Sequence, residues 1–228
     1  MSNIPGDIIF FVVIAVVLLV QFNSILGKGE TDDGSKVISK KDLNKKVVAE
    51  IVKLQTQQLP KDANVLEIKK DVYNKAIKVN KGVQEGIDEI SAQDKSFNLE
   101  EFLKGSITAF GLIVLSYAKG NLAVLKNMLD DELFSVFKSD IKSRDKEENI
   151  DTRIEKMNKI NITKAKLQGA MIYITVKFVS EQTTAIRDKD GQVLKGDPEQ
   201  SREITDIWTF AKDIRSGNPN WTLVSSES

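Results

Sequence analysis

Cysteine and histidine are both absent from the 228 residues, and proline occurs four times. Without His, no Ser-His-Asp or Cys-His nucleophile system can be assembled. Without Cys there is no disulfide framework, thiolate nucleophile or iron-sulfur ligation. A zinc site would have to be built from carboxylates alone, an uncommon donor set. An excess of one sign of charge is missing too, because 33 Lys+Arg balance 33 Asp+Glu. No global basic surplus is available to release counterions from a nucleic acid, so nucleic-acid partners are not expected. The length accommodates one ordinary domain plus appendages.

What is present is hydrophobicity, unevenly spread. Ile8 to Val20 is apolar at every position, and the twenty residues between Asp7 and Lys28 carry no charge. At a helical rise such a run is about 30 Å long, close to the hydrocarbon thickness of a bilayer. A membrane anchor is therefore expected over residues 8–27, behind a short leader at 1–7. Ile8, Phe11, Ile14, Val17 and Val20 are its candidate anchoring residues. A cleaved signal peptide would carry Lys or Arg ahead of the run and a small-x-small site behind it; the leader holds only Asp7. A mitochondrial targeting peptide would be Arg-rich, whereas the first Arg here is Arg144. A buried core helix is disfavoured because the run has no polar face. Lys28, Lys36, Lys40, Lys41, Lys45 and Lys46 follow the span, and the leader has no basic side chain. The positive-inside rule then keeps the C-terminal part in the cytoplasm.

Residues 28–45 read as a flexible tether, since Gly27 to Ser39 is small and polar with almost nothing to bury. Residues 46–82 form a partly helical arm with scattered apolar positions (Val47, Ile51, Leu54, Leu66, Ile68, Val72, Ile77) interrupted by Pro60, and no firm packing is expected of it. A domain follows over 83–228. Val83 to Ile90 is a short helix. Asn98 is placed to cap a longer one whose stripe is Leu103, Ile107, Phe110, Val114 and Tyr117, widened by Phe102, Ala109 and Ile113. Gly120-Asn121 ends it, Leu122 to Leu129 is a short helix, and Asp130-Asp131 caps another with face Leu133, Val136, Phe137 and Ile141.

Beyond Arg144 the period changes to two. A β segment opens at Ile160-Asn161-Ile162, Gly169 bends the chain, and Ile172, Ile174, Val176 and Phe178 alternate with Tyr173, Thr175, Lys177 and Val179. Asp188-Lys189-Asp190-Gly191 is a turn signal, a loop holds Gly196-Asp197-Pro198, and Ile204 to Phe210 is the next strand. Asn218-Pro219-Asn220 turns into a last strand, Trp221 to Val224. Helices first and antiparallel strands afterwards give an α+β order with no βαβ alternation. N-terminal helices packed on a curved antiparallel sheet are the expected shape.

These strings, in this order, carry a resemblance. Phe102 to Phe110, Tyr117-Ala118-Lys119-Gly120-Asn121-Leu122, Leu125 and Leu129 look like the helical half of the Tim44-like domain, named after subunit 44 of the mitochondrial inner-membrane import translocase. Phe178 to Gln182, Asp188 to Gly191, Gly196-Asp197-Pro198, Thr205 to Ala211 and Asn218 to Trp221 resemble its strand half. The match covers roughly residues 83–228. An anchor, a polar linker and this domain is also the layout of the family's bacterial relatives. The resemblance implies a fold similar to nuclear transport factor 2-like domains and a non-enzymatic scaffold or adaptor role without a cofactor. It implies a single-pass protein of the bacterial inner membrane. Its implied partners are membrane lipid and proteins of the translocation or membrane-biogenesis machinery, a chaperone among them. The part with which the mitochondrial member meets its chaperone lies mostly upstream of the shared domain, and residues 40–80 do not match it.

Related architectures enclose an apolar pocket, so binding of a small apolar or lipid-like ligand is the alternative. Phe110, Tyr117, Tyr173, Trp208 and Trp221 are the candidate lining, with Asp206 as a further polar group. The plainer expectation is that both Trp residues fill the core. Asp188-x-Asp190-Gly191 faintly resembles a calcium loop, but Ile186 stands where the first ligand belongs, so a hairpin turn is expected. Two Ser-x-x-Lys strings, at Ser116 and Ser139, lack the partner motifs of acyl-enzymes.

Overall fold

The structure is a computed structural model describing residues 70–144, 148–216 and 220–228. The expected anchor (8–27), the tether (28–45) and the arm up to residue 69 lie outside the described residues, as do Asn218 and Pro219 of the last turn.

Among the described residues five helices come first: α1 (Lys70–Ala76), α2 (Lys81–Gln93), α3 (Leu99–Ala118), α4 (Leu122–Met128) and α5 (Asp131–Ser143). Each of the last four begins at an Asn or Asp whose side chain accepts an otherwise orphaned backbone N–H. Asn80 accepts from Val83 at 3.0 Å, Asn98 from Glu101 at 2.9 Å, Asn121 from Val124 at 3.3 Å and Asp130 from Leu133 at 2.8 Å. The expected caps Asn98 and Asp130 are thus in place, and Glu100 and Glu101 add negative charge at the positive end of α3.

Four strands follow: β1 (Asn149–Gln168), β2 (Met171–Arg187), β3 (Val193–Asp213) and β4 (Thr222–Glu227). They form one antiparallel sheet in the order β1-β2-β3-β4, so the chain is α+β. Two boundaries differ from the sequence reading. β1 starts at Asn149, not Ile160, because Asn149 to Ile154 pair with the far half of β2, from Gln182 to Arg187. That half of β1 alternates charged side chains with small or apolar ones and carries little apolar signal. Gly196-Asp197-Pro198 lies inside β3 rather than in a loop. There the register jumps, with Gln182 opposite Arg202 but Thr184 opposite Asp197, and the extra residues bulge out. Gly196 makes this possible with φ +77°, and a Cβ there would stand 2.2 Å from the Thr184 carbonyl oxygen.

Helices and sheet share one hydrophobic core. Leu103, Phe110 and Ile113 of α3 meet Ile160 of β1, Ile172, Ile174, Val176 and Phe178 of β2, Phe210 of β3 and Leu223 of β4. α2 lies so close to β1 that a Cβ on Gly86 would fall 2.0 Å from the Ala165 carbonyl oxygen. Packing also reaches upstream of residue 83, against expectation for the arm: Ala76 is 1% exposed, and Val72, Tyr73, Ile77 and Val79 rest on the core. At the other end the Asp130 N–H donates to the Leu223 carbonyl at 3.0 Å, tying the start of α5 to β4. Among the described residues α3 is long and apolar enough to cross a membrane. With its broad face against the sheet it is a core helix.

Candidate functional site

Strand register sorts side chains onto two faces. On the helix-facing side three rows run across the sheet: Ile160, Phe178 and Asp206; Ile162, Val176, Trp208 and Ser226; Ala165, Ile174, Phe210 and Leu223. Phe110 of α3 drops into this surface, stacked on Phe178 at 4.6 Å between ring centroids and tilted against Trp208 at 4.8 Å. Phe102 meets Phe210 at 6.0 Å and Trp221 at 4.6 Å, and Trp221 also touches Phe97. Trp208 is a core residue, while Trp221 is half-buried at the N-terminal end of α3.

Beside the aromatic ring cluster sits Asp206, 7% exposed. One carboxylate oxygen accepts the Ser228 hydroxyl. The other, Oδ2, and the nearby indole Nε1 of Trp208 are both buried, and neither closes a hydrogen bond of ordinary geometry. Burial pushes the Asp206 carboxyl up to about 6; the Ser228 hydroxyl and, more weakly, the Trp208 N–H oppose that shift.

Tyr117 belongs to a different cluster. Its hydroxyl donates to Asp140 Oδ2, and its ring lies edge-on to Phe137 at 5.1 Å. Arg144 covers the ring at 4.1 Å, pairs with Asp140 at 3.2 Å and donates to the Tyr117 carbonyl at 2.7 Å. Burial, then the Asp140 hydrogen bond, push the phenol up to about 12. The Arg144 guanidinium thus satisfies a terminal carbonyl of α3 and joins α5 to it. This is a structural clasp, with the phenol protonated at any physiological pH.

Tyr173 faces the other way. It pairs with Lys166 and Ala211 on the outer side of the sheet, flanked along β2 by core residues Ile172 and Ile174. The five aromatic candidates are therefore not gathered in one place. Phe110 and Trp208 meet, Tyr117 and Trp221 lie toward opposite ends of α3, and Tyr173 is across the sheet. Between α3 and the sheet Phe110, Phe178 and Trp208 pack against one another.

The outer face carries cations. Its rows are Lys159, Val179 and Thr205; Asn161, Lys177, Ile207 and Glu227; Lys164, Thr175, Thr209 and Ser225; Lys166, Tyr173, Ala211 and Thr222. Lys159, Lys164 and Lys166 are exposed, and Lys177 is half-buried. No ion-pair partner for these four is found among the described residues. From Met157 to Ser180 the sequence has four Lys and no Asp or Glu, a signal that a whole-chain charge balance conceals. Acidic neighbours lie at the margins and are engaged: Glu181 pairs with Lys156 at 3.5 Å, and Asp213 with Arg215 at 3.1 Å.

Two further features escaped the sequence. Asp94, at the end of α2, pairs with Lys212 of β3 at 2.9 Å, with both side chains nearly covered. Burial works to raise the Asp94 carboxyl, but hydrogen bonds from Ser96 and Lys212 outweigh it and hold the group below the usual range. Nothing local connects residues 118 apart. The Asp140–Arg144 pair is legible as an i,i+4 pair, though not the role of Arg144 at the end of α3. The expected hairpin turn is present, with the Asp188 carboxylate accepting the N–H groups of Asp190 and Gln192 at 2.9 and 2.8 Å. Among the described residues no group of three or more acidic side chains could hold a metal ion.

Comparison with known proteins bears on this arrangement. Residues 83–228 match the family model described as the Tim44-like domain. Over 147 residues the sequence is 24% identical to the probable mitochondrial import inner membrane translocase subunit tin-44 of Caenorhabditis elegans. That alignment takes in 62% of this chain and 35% of the relative, so the chain spans about a third of the relative's length.

Proposed function

The chain belongs to the Tim44-like domain family, and from that premise we propose that it is a non-enzymatic, membrane-anchored adaptor in protein transport or membrane-protein biogenesis. Membership and the translocase relative support a role related to protein transport. In this reading residues 8–27 hold the chain in a bacterial inner membrane, the tether at 28–45 gives reach, and the α+β domain, of nuclear transport factor 2-like shape, docks partners on the cytoplasmic side. The observation that carries it is the order of parts: a thirteen-residue apolar run, a polar stretch, and then a family match running from residue 83 to 228. The helix-facing side of the domain supports docking over chemistry, since its interior is occupied by its own aromatic rings. Proteins of the translocation or insertion machinery, a chaperone among them, and membrane lipid are the proposed partners.

Alkaline carbonate extraction with protease protection in spheroplasts tests the topology. The protein should stay in the membrane pellet, with its domain cut only after the membrane is opened. Release into the supernatant, or digestion from the periplasmic side, would overturn the anchored reading. Cross-linking in intact cells should then recover components of a transport or insertion apparatus.

A further inference from the structure

We propose that Asp206 Oδ2 and Trp208 Nε1 form a recognition point for a single hydroxyl group, supplied by a buried water or by the head of an aliphatic alcohol. The inference is independent of the membrane-anchored reading. Asp206 and Trp208 stand two apart on β3 and so share the helix-facing side, where they are 7% and 3% exposed. Among the described residues they hold the two buried side-chain polar atoms that have no hydrogen-bond partner. One is an acceptor and the other a donor. Protein interiors rarely leave such atoms unpaired, because a polar group that has given up water and gained nothing in return destabilises the fold.

The chemistry of the pair selects its occupant. A carboxylate oxygen asks for a donor and an indole N–H for an acceptor, and a hydroxyl is the smallest group that answers both with one atom. At about 2.8 Å from each it closes both bonds. An ammonium could serve Asp206 but not Trp208, and a carbonyl or ether oxygen Trp208 but not Asp206. The other carboxylate oxygen of Asp206 already accepts the Ser228 hydroxyl, which leaves Oδ2 as the acceptor on offer. The surroundings are amphiphilic. Phe178 lies opposite Asp206, Phe110 lies against Trp208, and Ser226 stands opposite Trp208. Further along β2, Gln182 donates to Ser180 at 2.9 Å, and both are buried. A hydroxyl held here would have aromatic rings on one flank for a short apolar stem. The pairing of β4 on β3 gives out at Ile207 and Glu227, and Ser201 to Glu203 are exposed, so the site lies at the rim of the core and not at its centre.

Nuclear magnetic resonance of the full-length protein in phosphatidylcholine nanodiscs, with nitrogen-labelled tryptophan, reads the site directly. The chain has two Trp residues, so Trp221→Phe identifies the Trp208 indole signal. At neutral pH the Trp208 indole proton should show cross-relaxation of the sign given by a long-lived water. Hexanol is then titrated in, with methyl pentyl ether, which accepts but cannot donate, as its isostere. Replacement of the water peak by contacts to the carbinol protons of hexanol, with the ether at least about tenfold weaker, assigns the site to an alcohol. Persistence of the water peak throughout assigns it to water, and either result carries the proposal. Asp206→Leu should abolish the peak, whereas Asp206→Asn, which keeps an acceptor, should retain it. A Trp221 indole signal at its native position shows that the Leu variant is folded. An indole proton of Trp208 in contact with protein protons alone would overturn the proposal. So would equal affinity for hexanol and the ether, or a water or alcohol peak that survives Asp206→Leu in the folded protein.

Discussion

The two faces of the sheet are made by the same strands and obey opposite rules. Phe178 and Lys177 are adjacent in sequence; one is fully buried under Phe110, and the other looks outward between Asn161 and Ile207. On the inner side the only carboxylate in the three core rows, Asp206, lacks a cation and is pushed toward neutrality. On the outer side Lys159, Lys164, Lys166 and Lys177 stand in neighbouring rows with no ion-pair partner among the described residues. The contrast shows how period-two alternation lets one hairpin carry both the core and a basic outer face, so that changes on one side leave the other intact.

That separation can be broken or sharpened by substitution. The largest effect is expected from Phe178→Ala, which removes the stacking partner of Phe110 from the core centre. Urea denaturation should show a loss of about 3–5 kcal/mol. Asp206→Asn should act in the other direction. Because the folded carboxyl is raised to about 6 from an unfolded value near 3.9, the native state binds the proton more tightly. Its contribution is therefore greatest below about pH 4, falls as pH rises toward 6, and stays low above that. Asn should remove the slope and stabilise the protein at pH 7.5 by up to about 3 kcal/mol, read from denaturation curves at several pH values. Asp94, held low by Ser96 and Lys212, has the opposite sign: its contribution is present above the unfolded carboxyl value and is lost on acidification through the lower folded one.

Gly86→Ala should cost about 1–3 kcal/mol, because the new methyl collides with the Ala165 carbonyl and α2 must move off β1. Faster amide exchange at Val83, Ile87 and Ile90 would localise the damage. Asn98→Ala should cost about 1 kcal/mol by leaving the Glu101 N–H without its cap. Smallest of all, Lys177→Gln should stay within about 0.5 kcal/mol in the same assay. A loss comparable to that of Phe178→Ala would mean that the outer face is a second core and not a surface.

Helices α3 and α5 were legible because each announces itself twice, by a cap residue and by an apolar stripe, whereas α2 and α4 were read as short helices without the caps Asn80 and Asn121 that the structure shows. Asn98 and the run from Phe102 to Tyr117 agree on α3. The outer half of β1 was not, since Asp151, Arg153 and Glu155 look like a solvated stretch until Ala185, Thr184, Thr183 and Gln182 are found opposite Asp151, Thr152, Arg153 and Ile154. Gly196 and Pro198 read as a loop for a good local reason, and only the register jump reveals that a bulge can hold them within β3. The pocket candidates failed to converge because residue type says nothing about face. Tyr173 differs from Ile172 and Ile174 by one step in the alternation, and that step sends it through the sheet. Asp94 and Lys212 meet only when the chain has closed.

The order of elements also sets a timetable. The apolar stripe of α3 leaves the ribosome before the strands it packs on, and its partners Phe178, Trp208 and Phe210 follow about 70 to 110 residues later. At ordinary elongation speed the wait until Asp213 emerges lasts roughly 5–20 s, very long beside the microseconds that collapse requires. Until then the twenty-residue helix α3 keeps Leu103, Phe110 and Ile113 uncovered. Each strand, by contrast, meets its neighbour as soon as the next turn is made, so the sheet closes within moments of its last residue's appearance.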